Sequence, residues 1–157
     1  MSEAKYDPGC YSCQALQGLR SLTNTPRLYT GRFWVVEHAF PTAIRGWLVL
    51  VLKRHCRALH QLTNGEFEEF KHILSCAVQA LHVELDSEKE YVMQFAEAPA
   101  FEHVHFHVVP RLPEWPADWR GPNVFRALGG DLTNPLNSAD LASLVQALQL
   151  AFEKQLA

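Results

Sequence analysis

The chain has 157 residues, of which 48% are hydrophobic and 20% are charged, and its formal net charge is −3. This length fits a single domain, 1–157, and the composition excludes an extensively disordered chain. Without a basic excess a nucleic-acid partner is not expected. The longest apolar stretch, 47–52, is far shorter than the roughly 20 residues of a membrane helix, so no membrane partner is expected either.

The N-terminal residues carry turn signals rather than a targeting pattern. Residues 1–5 lack the basic start and the apolar run of a secretory signal, which predicts a cytoplasmic, reducing location. Turn signals at Pro8 and Pro26 predict an arm over 1–28 that contains one short helix.

Three strands are predicted after this arm, at 27–30, 33–38 and 46–52. These segments are rich in β-branched and aromatic residues, and glycine and proline separate them. Their connections are short, which favours antiparallel pairing.

The strongest helix signal follows the third strand. Thr63 and Glu66 have the spacing of a capping box at a helix start. Apolar residues then recur at helical intervals and predict one buried stripe. Its members are Phe67, Phe70, Leu74, Ala77, Leu81 and Leu85.

Two further strands are predicted at 90–95 and 102–111, and a last helix at 138–155. Between them 112–135 carries four prolines and two tryptophans, which predicts an ordered loop rather than a linker. The pattern predicts an α+β fold with a mainly antiparallel five-stranded sheet, a crossover helix and a C-terminal helix. Within it, 29–111 forms the core and 112–157 the C-terminal loop and helix.

The fifth predicted strand carries His103, His105 and His107 at alternate positions. Because side chains alternate across a strand, the three imidazoles are expected on one face, within about 7 Å of their next-but-one neighbours. A solvated strand face would usually carry Thr, Lys or Glu instead. Three imidazoles on a strand can also form a catalytic zinc site, and that interpretation stays open.

The run 103–109 alternates histidine with hydrophobic residues, and Pro110 and Arg111 follow it. It resembles the signature of the histidine triad superfamily, particularly its dinucleoside polyphosphate hydrolase-like and nucleoside phosphoramidase-like members. Upstream, 34–36 and 46–55 occur in the order typical of that superfamily. The resemblance implies a histidine triad fold and cleavage at the α-phosphorus of a nucleotide conjugate.

The resemblance also implies roles for the histidines. His105 corresponds to the nucleophile, and a neutral imidazole suits attack on phosphorus near pH 7. His107 would donate a hydrogen bond where charge develops in the transition state, and His103 completes the catalytic triad.

Substrate-binding residues are implied at three further positions. Gln94 lies where the family carries an amide that reaches the phosphates, and Glu37 or His38 lies where several members carry an acidic residue for the ribose. Two departures stand out. Trp47 occupies a position where many members have histidine, and residues 99–101 lack the small hydroxyl or amide residue that often precedes the first histidine.

Cys10 and Cys13 form a C-x-x-C pair, which is typical of half a zinc site or of a redox pair. Two plain buried thiols are a third interpretation. Some histidine triad relatives pair such cysteines with two histidines around one zinc ion. The resemblance therefore implies one structural zinc per chain, bound by Cys10, Cys13, His55 and His103.

Three functions remain open at this stage. The first is a hydrolase or transferase that works through a nucleotidyl-histidine on His105. The second is a zinc-dependent hydrolase that uses His103, His105 and His107 to hold the metal. The third is a nucleotide-binding protein without turnover, which Trp47 makes conceivable. The resemblance further implies a homodimer, whose pairing would cover an otherwise unprotected sheet edge.

Overall fold

The computed structural model describes residues 6–129 and 134–157. Residues 1–5, for which no targeting signal was expected, lie outside the described residues. So does the part of the predicted loop at 130–133. The predicted α+β class and the five-stranded antiparallel sheet are confirmed, with strand order β1-β2-β3-β5-β4. The strands are β1 (Tyr29–Thr30), β2 (Trp34–His38), β3 (Leu48–Leu52), β4 (Lys89–Met93) and β5 (His105–Arg111). The helices are α1 (Tyr11–Leu16), α2 (Asn64–Leu85) and α3 (Ser138–Leu156).

Helix α2 begins at the predicted capping box. The Glu66 N–H donates to Thr63 Oγ1 at 3.3 Å, and the Thr63 N–H donates to the Glu66 carboxylate at 2.7 Å. The predicted stripe is wrong at its first member, because Phe67 is 43% exposed whereas Glu66 is 2% exposed. The buried face is thus rotated by one position at the start of the helix, and it continues through Ile73 and Ala77.

Helices α2 and α3 cover one face of the sheet, where the larger core cluster lies. Val104 and Val108 point into this cluster, and the Phe106 ring lies 4.2 Å from the Phe70 ring of α2, measured between centroids. The apolar side of the histidine segment therefore packs under the crossover helix, as predicted.

The opposite face is covered by the segment after β5. Within its described part this segment forms two 3₁₀ turns, Ala117–Trp119 and Gly121–Ala127. Trp115, Val124 and Ala127 from it pack around the fully buried Trp47 in a second apolar cluster. The expected ordered loop thus provides a wall over the sheet.

The connection from β2 to β3 is held by His38 and Gly46. Gly46 has a φ of +83°, and a Cβ there would collide with Leu85 and Leu81 of α2, so this position requires glycine. No helix in the described part of the chain is long and apolar enough to cross a membrane.

Candidate active site

A cavity of about 390 Å³ lies on the face of the sheet opposite α2 and α3. Alternation along the strands places Glu37 of β2, Val49 and Val51 of β3, and His105 and His107 of β5 on its floor. His107 pairs with Val49 and His105 pairs with Val51, so the two imidazoles lie side by side with ring centroids 5.0 Å apart. The walls are mostly apolar and come from α1, the segment before β5 and the second 3₁₀ turn. They include Ala15, Leu16, Phe101, Phe125 and Leu128.

His105 is held in one tautomer by the backbone. Its Nδ1 lies 2.6 Å from the carbonyl oxygen of His103, and a carbonyl oxygen only accepts, so Nδ1 carries the proton. The lone pair of neutral His105 is therefore on Nε2. Burial lowers the pKa of His105, which keeps the ring neutral near pH 7.

His107 is held in the opposite tautomer by Trp47. The indole N–H of Trp47 donates to His107 Nδ1 at 3.0 Å, and both side chains are buried. Since Nδ1 accepts, neutral His107 carries its proton on Nε2 and can offer a ligand only a donor. Burial, with a smaller effect from neighbouring His105, lowers the pKa of His107 to about 3.

His103 does not line the cavity with His105 and His107, so the three imidazoles do not form one row there. Strand β5 begins only at His105, because the His103 N–H bonds locally to Phe101 O at 2.7 Å. The His103 ring is fully buried, and its Nε2 donates to Leu52 O at 2.6 Å. Its Nδ1 lies 3.4 Å from Cys10 Sγ and 3.5 Å from Cys13 Sγ.

Cys10, Cys13, His55 and His103 bring their four ligand atoms within 4.8 Å of one another. In the described ranges 6–129 and 134–157, this is the one group of His, Cys, Asp and Glu whose geometry suits a metal ion. The Cys13 Sγ to His55 Nδ1 distance is 3.4 Å, close to the roughly 3.6 Å that separates S and N ligands in a tetrahedral zinc site. The quartet predicted from the sequence is thus assembled, and it fits zinc.

The surroundings of this quartet also suit a metal. The Nε2 atom of His55 lies 3.6 Å from Asp7 Oδ2, and His103 Nε2 is bonded to a backbone carbonyl, so both rings present Nδ1 to the thiols. Burial is the main cause that raises the pKa of Cys13 to about 11. A bound cation would favour the thiolate that ligates a metal.

Glu37 and His38 differ in what they can offer a ligand. Glu37 lies on the cavity floor, and burial raises its pKa. Arg27 lowers that pKa in opposition, with its Nε 3.4 Å from Glu37 Oε2. His38 borders the cavity but is fully buried. Its Nδ1–H donates to Ala39 O at 2.8 Å, and its Nε2 accepts from the Gly46 N–H at 2.9 Å. Neither ring nitrogen of His38 is left for a ligand.

Gln94 follows β4 directly, next to Met93, which pairs with His107. It is half-buried and does not line the cavity. Its role toward phosphates stays a prediction. In the segment 99–101 the backbone anchors α1 beside the cavity, because Ala100 O accepts the Tyr11 N–H at 2.8 Å.

Sequence reasoning missed two residues of the site, Arg27 and Phe125. Arg27 joins the arm to the floor, since its Nη2 donates to Ala15 O at 3.3 Å while its Nε contacts Glu37. The predicted pairing of the first two strands brings this residue near Glu37, so the signal was present. Phe125 packs on His107 with ring centroids 5.1 Å apart, and no pattern indicated this contact.

The chain matches no family model and no curated protein sequence, and its similarity to solved structures is one of fold. A HIT-like protein involved in cell-cycle regulation from Bartonella henselae matches with a TM-score of 0.65 and 17% identity, over 93% of this chain and 98% of its own. A histidine triad protein from Marinobacter aquaeolei matches with a TM-score of 0.65 and 20% identity, over 83% and 90%.

A zinc-bound histidine triad family protein from Mycobacterium smegmatis also matches, with a TM-score of 0.64 and 17% identity over 92% of this chain and 94% of its own. The fold of this chain is therefore the fold of these histidine triad proteins. The resemblance read from the sequence is confirmed at the level of the fold.

Proposed function

We propose that this chain is a nucleotidyl hydrolase or transferase that cleaves at the α-phosphorus of a nucleotide conjugate through a covalent intermediate on His105. One observation carries this proposal. The His103 carbonyl accepts a hydrogen bond from His105 Nδ1–H, so Nε2 carries the lone pair of an imidazole that lines a cavity in a histidine triad fold. That arrangement supports nucleophilic catalysis by a neutral imidazole.

The reaction is a pair of displacements at phosphorus. The His105 Nε2 lone pair forms the N–P bond, the bond from phosphorus to the leaving group breaks, and its electron pair departs with the leaving group. Water or another acceptor then attacks phosphorus, and the N–P electron pair returns to Nε2 while the attacking group loses a proton to solvent. The proton of His105 stays on Nδ1 throughout, hydrogen-bonded to the His103 carbonyl oxygen. Splitting one displacement into two lowers each barrier.

The cavity provides places for the rest of the substrate. The apolar walls from Leu16, Phe40 and Phe101 suit a nucleobase, and buried Glu37 suits the ribose hydroxyls. His107 directs an Nε2–H donor toward phosphoryl oxygens. Holding the nucleoside in this way would fix phosphorus in line with His105.

The residues Cys10, Cys13, His55 and His103 would hold one structural zinc ion. When bound, zinc would supply no reaction chemistry, because two thiolates and two imidazoles close the tetrahedron and leave no open position. The zinc-dependent alternative with all three triad histidines lacks this support, since His103 faces the thiols and not the cavity.

The test is the variant His105→Gly. We expect steady-state turnover to fall by at least about 1,000-fold, because the nucleophile is lost, while nucleotide affinity stays within a few-fold. Hydrolysis assays and a binding titration measure the two effects separately. Near-normal turnover would end the covalent mechanism, and tight binding without turnover in the wild type would establish the non-catalytic alternative.

A further inference from the structure

Trp47 holds His107 through a hydrogen bond that only one partner can donate. The indole N–H lies 3.0 Å from His107 Nδ1, and an indole offers a donor and no acceptor. Trp47 is fully buried, so water does not replace this bond. In the bonded state, therefore, a proton cannot sit on His107 Nδ1.

Packing keeps the His107 ring in this arrangement. Its centroid lies 5.7 Å from the Trp47 ring, 5.1 Å from the Phe125 ring and 5.0 Å from the His105 ring, with all three pairs edge to face. A ring flip would put the Cδ2–H of His107 in the place of Nδ1 and leave the indole N–H without an acceptor. The lowered pKa of His107 also favours the neutral ring, since burial disfavours the imidazolium.

We propose that Trp47 fixes His107 as a neutral Nε2–H imidazole, so that the site prefers nucleotide conjugates whose leaving group departs as a stable oxyanion over those whose leaving group is an amine. This inference rests on the proposed function and specifies its substrate class. Trp47 is a positioning residue, because it acts through His107. A phosphoanhydride is the substrate chemistry that fits this site.

The chemical reason lies in the breaking bond. When a phosphoanhydride is cleaved, the electron pair of the P–O bond leaves on a phosphate oxygen, which is stable without a proton, and a hydrogen bond from His107 suffices. When a phosphoramidate is cleaved, the electron pair of the P–N bond leaves on nitrogen, which must gain a proton. An imidazolium could supply that proton, whereas a neutral imidazole is far too weak an acid.

The first experiment reads the tautomer directly, by ¹⁵N NMR of the histidine side chains in the full-length protein at pH 7. We expect His107 to carry its proton on Nε2 in the wild type, and Trp47→Phe to shift the Nδ1 resonance and mix the tautomers. Trp34→Phe is the matched control, because Trp34 is equally buried but its indole N–H donates to Glu66 O at 2.8 Å. An Nδ1–H His107 in the wild type, or an unchanged signature in Trp47→Phe, would overturn the proposal.

The second experiment compares kcat/KM for a dinucleoside tetraphosphate and a nucleoside 5′-phosphoramidate with the same base. We expect the wild type to prefer the anhydride by at least about 100-fold, the usual contribution of general acid catalysis. Trp47→His, which adds an acceptor beside His107, should narrow that ratio at least about tenfold. Equal cleavage of both substrates by the wild type would overturn the proposed preference for anhydrides and would leave the proposed function standing. Cleavage of neither would overturn it together with the proposed function, while the NMR result would still decide the role of Trp47.

Discussion

His103 and His105 are the same residue type two positions apart, and their hydrogen bonds separate what they can do. His103 donates from Nε2 to Leu52 O, which turns Nδ1 toward the thiols. His105 donates from Nδ1 to His103 O, which leaves the Nε2 lone pair on the cavity side of the ring. Because a carbonyl oxygen only accepts, each bond fixes one tautomer. The proposed metal ligand and the proposed nucleophile would thus stand two positions apart without competing.

His38 makes stability depend on pH in a direction that its burial determines. Burial lowers its pKa to about 4, below the ordinary value of 6.5, because the charged imidazolium loses its hydration. The unfolded chain binds more protons between these two values, so stability is complete above pH 6.5 and falls as pH decreases toward 4. The contribution lost over that window is about 3 kcal/mol.

The measurement is the free energy of unfolding from pH 4.5 to 7.5 for the wild type and for His38→Gln, whose amide does not titrate. We expect a steeper loss on acidification in the wild type. The other histidines titrate in both proteins and cancel in the difference. Parallel pH curves would contradict this account of His38.

At the residue scale, alternating histidines and C-x-x-C spacing are local patterns, and they singled out His105, His107 and the two cysteines. The resemblance to the histidine triad superfamily implied the rest of the zinc quartet. The sequence could not predict that β5 starts at His105 rather than 102, since a local turn from His103 N–H to Phe101 O replaces the ladder there. Nor could it predict the bond from Trp47 to His107, which joins positions 60 residues apart.

At the scale of elements, the capped helix α2 and the antiparallel strands followed from pattern alone, with strand ends shifted by one to three residues. The predicted first strand, 27–30, shortens to Tyr29–Thr30, while Leu28 N–H still bonds to Val36 O. The short helix α1 has a role that the sequence did not reveal. It carries Cys13 on one side and lines the cavity with Ala15 and Leu16 on another.

Removal of the metal should therefore affect both stability and the cavity wall. In Cys10→Ser with Cys13→Ser we expect loss of the one zinc per chain, and a fall in Tm of at least about 10 °C, as ion binding contributes several kcal/mol to folding. Cys76→Ala is the matched control, because Cys76 is also buried but belongs to α2 and packs in the main core. It should keep the metal.

Metal analysis and thermal unfolding of protein purified without chelator check this expectation. The activity of the double variant should fall as α1 loosens. A metal-free wild type that is fully stable and active would contradict the assignment of these residues as a zinc site.

At the scale of the whole molecule, the sheet separates two tasks. One face packs α2 and α3 into the main core, and the other carries the cavity under α1 and the 3₁₀ turns.

The homodimer stays a prediction. Strand β4 is an edge strand, and exposed Val92 and Phe67 lie beside the same surface groove, which a second copy could cover.

The nucleotidyl-histidine itself is the most direct test of the central claim. Full-length protein is mixed with a limiting amount of a dinucleoside tetraphosphate, quenched in alkali, where the N–P bond to imidazole survives, and digested for mass spectrometry. We predict one nucleoside monophosphoryl group on the peptide that contains His105, and none in His105→Gly. Turnover without any adduct on His105, or with the adduct on another residue, would contradict the account.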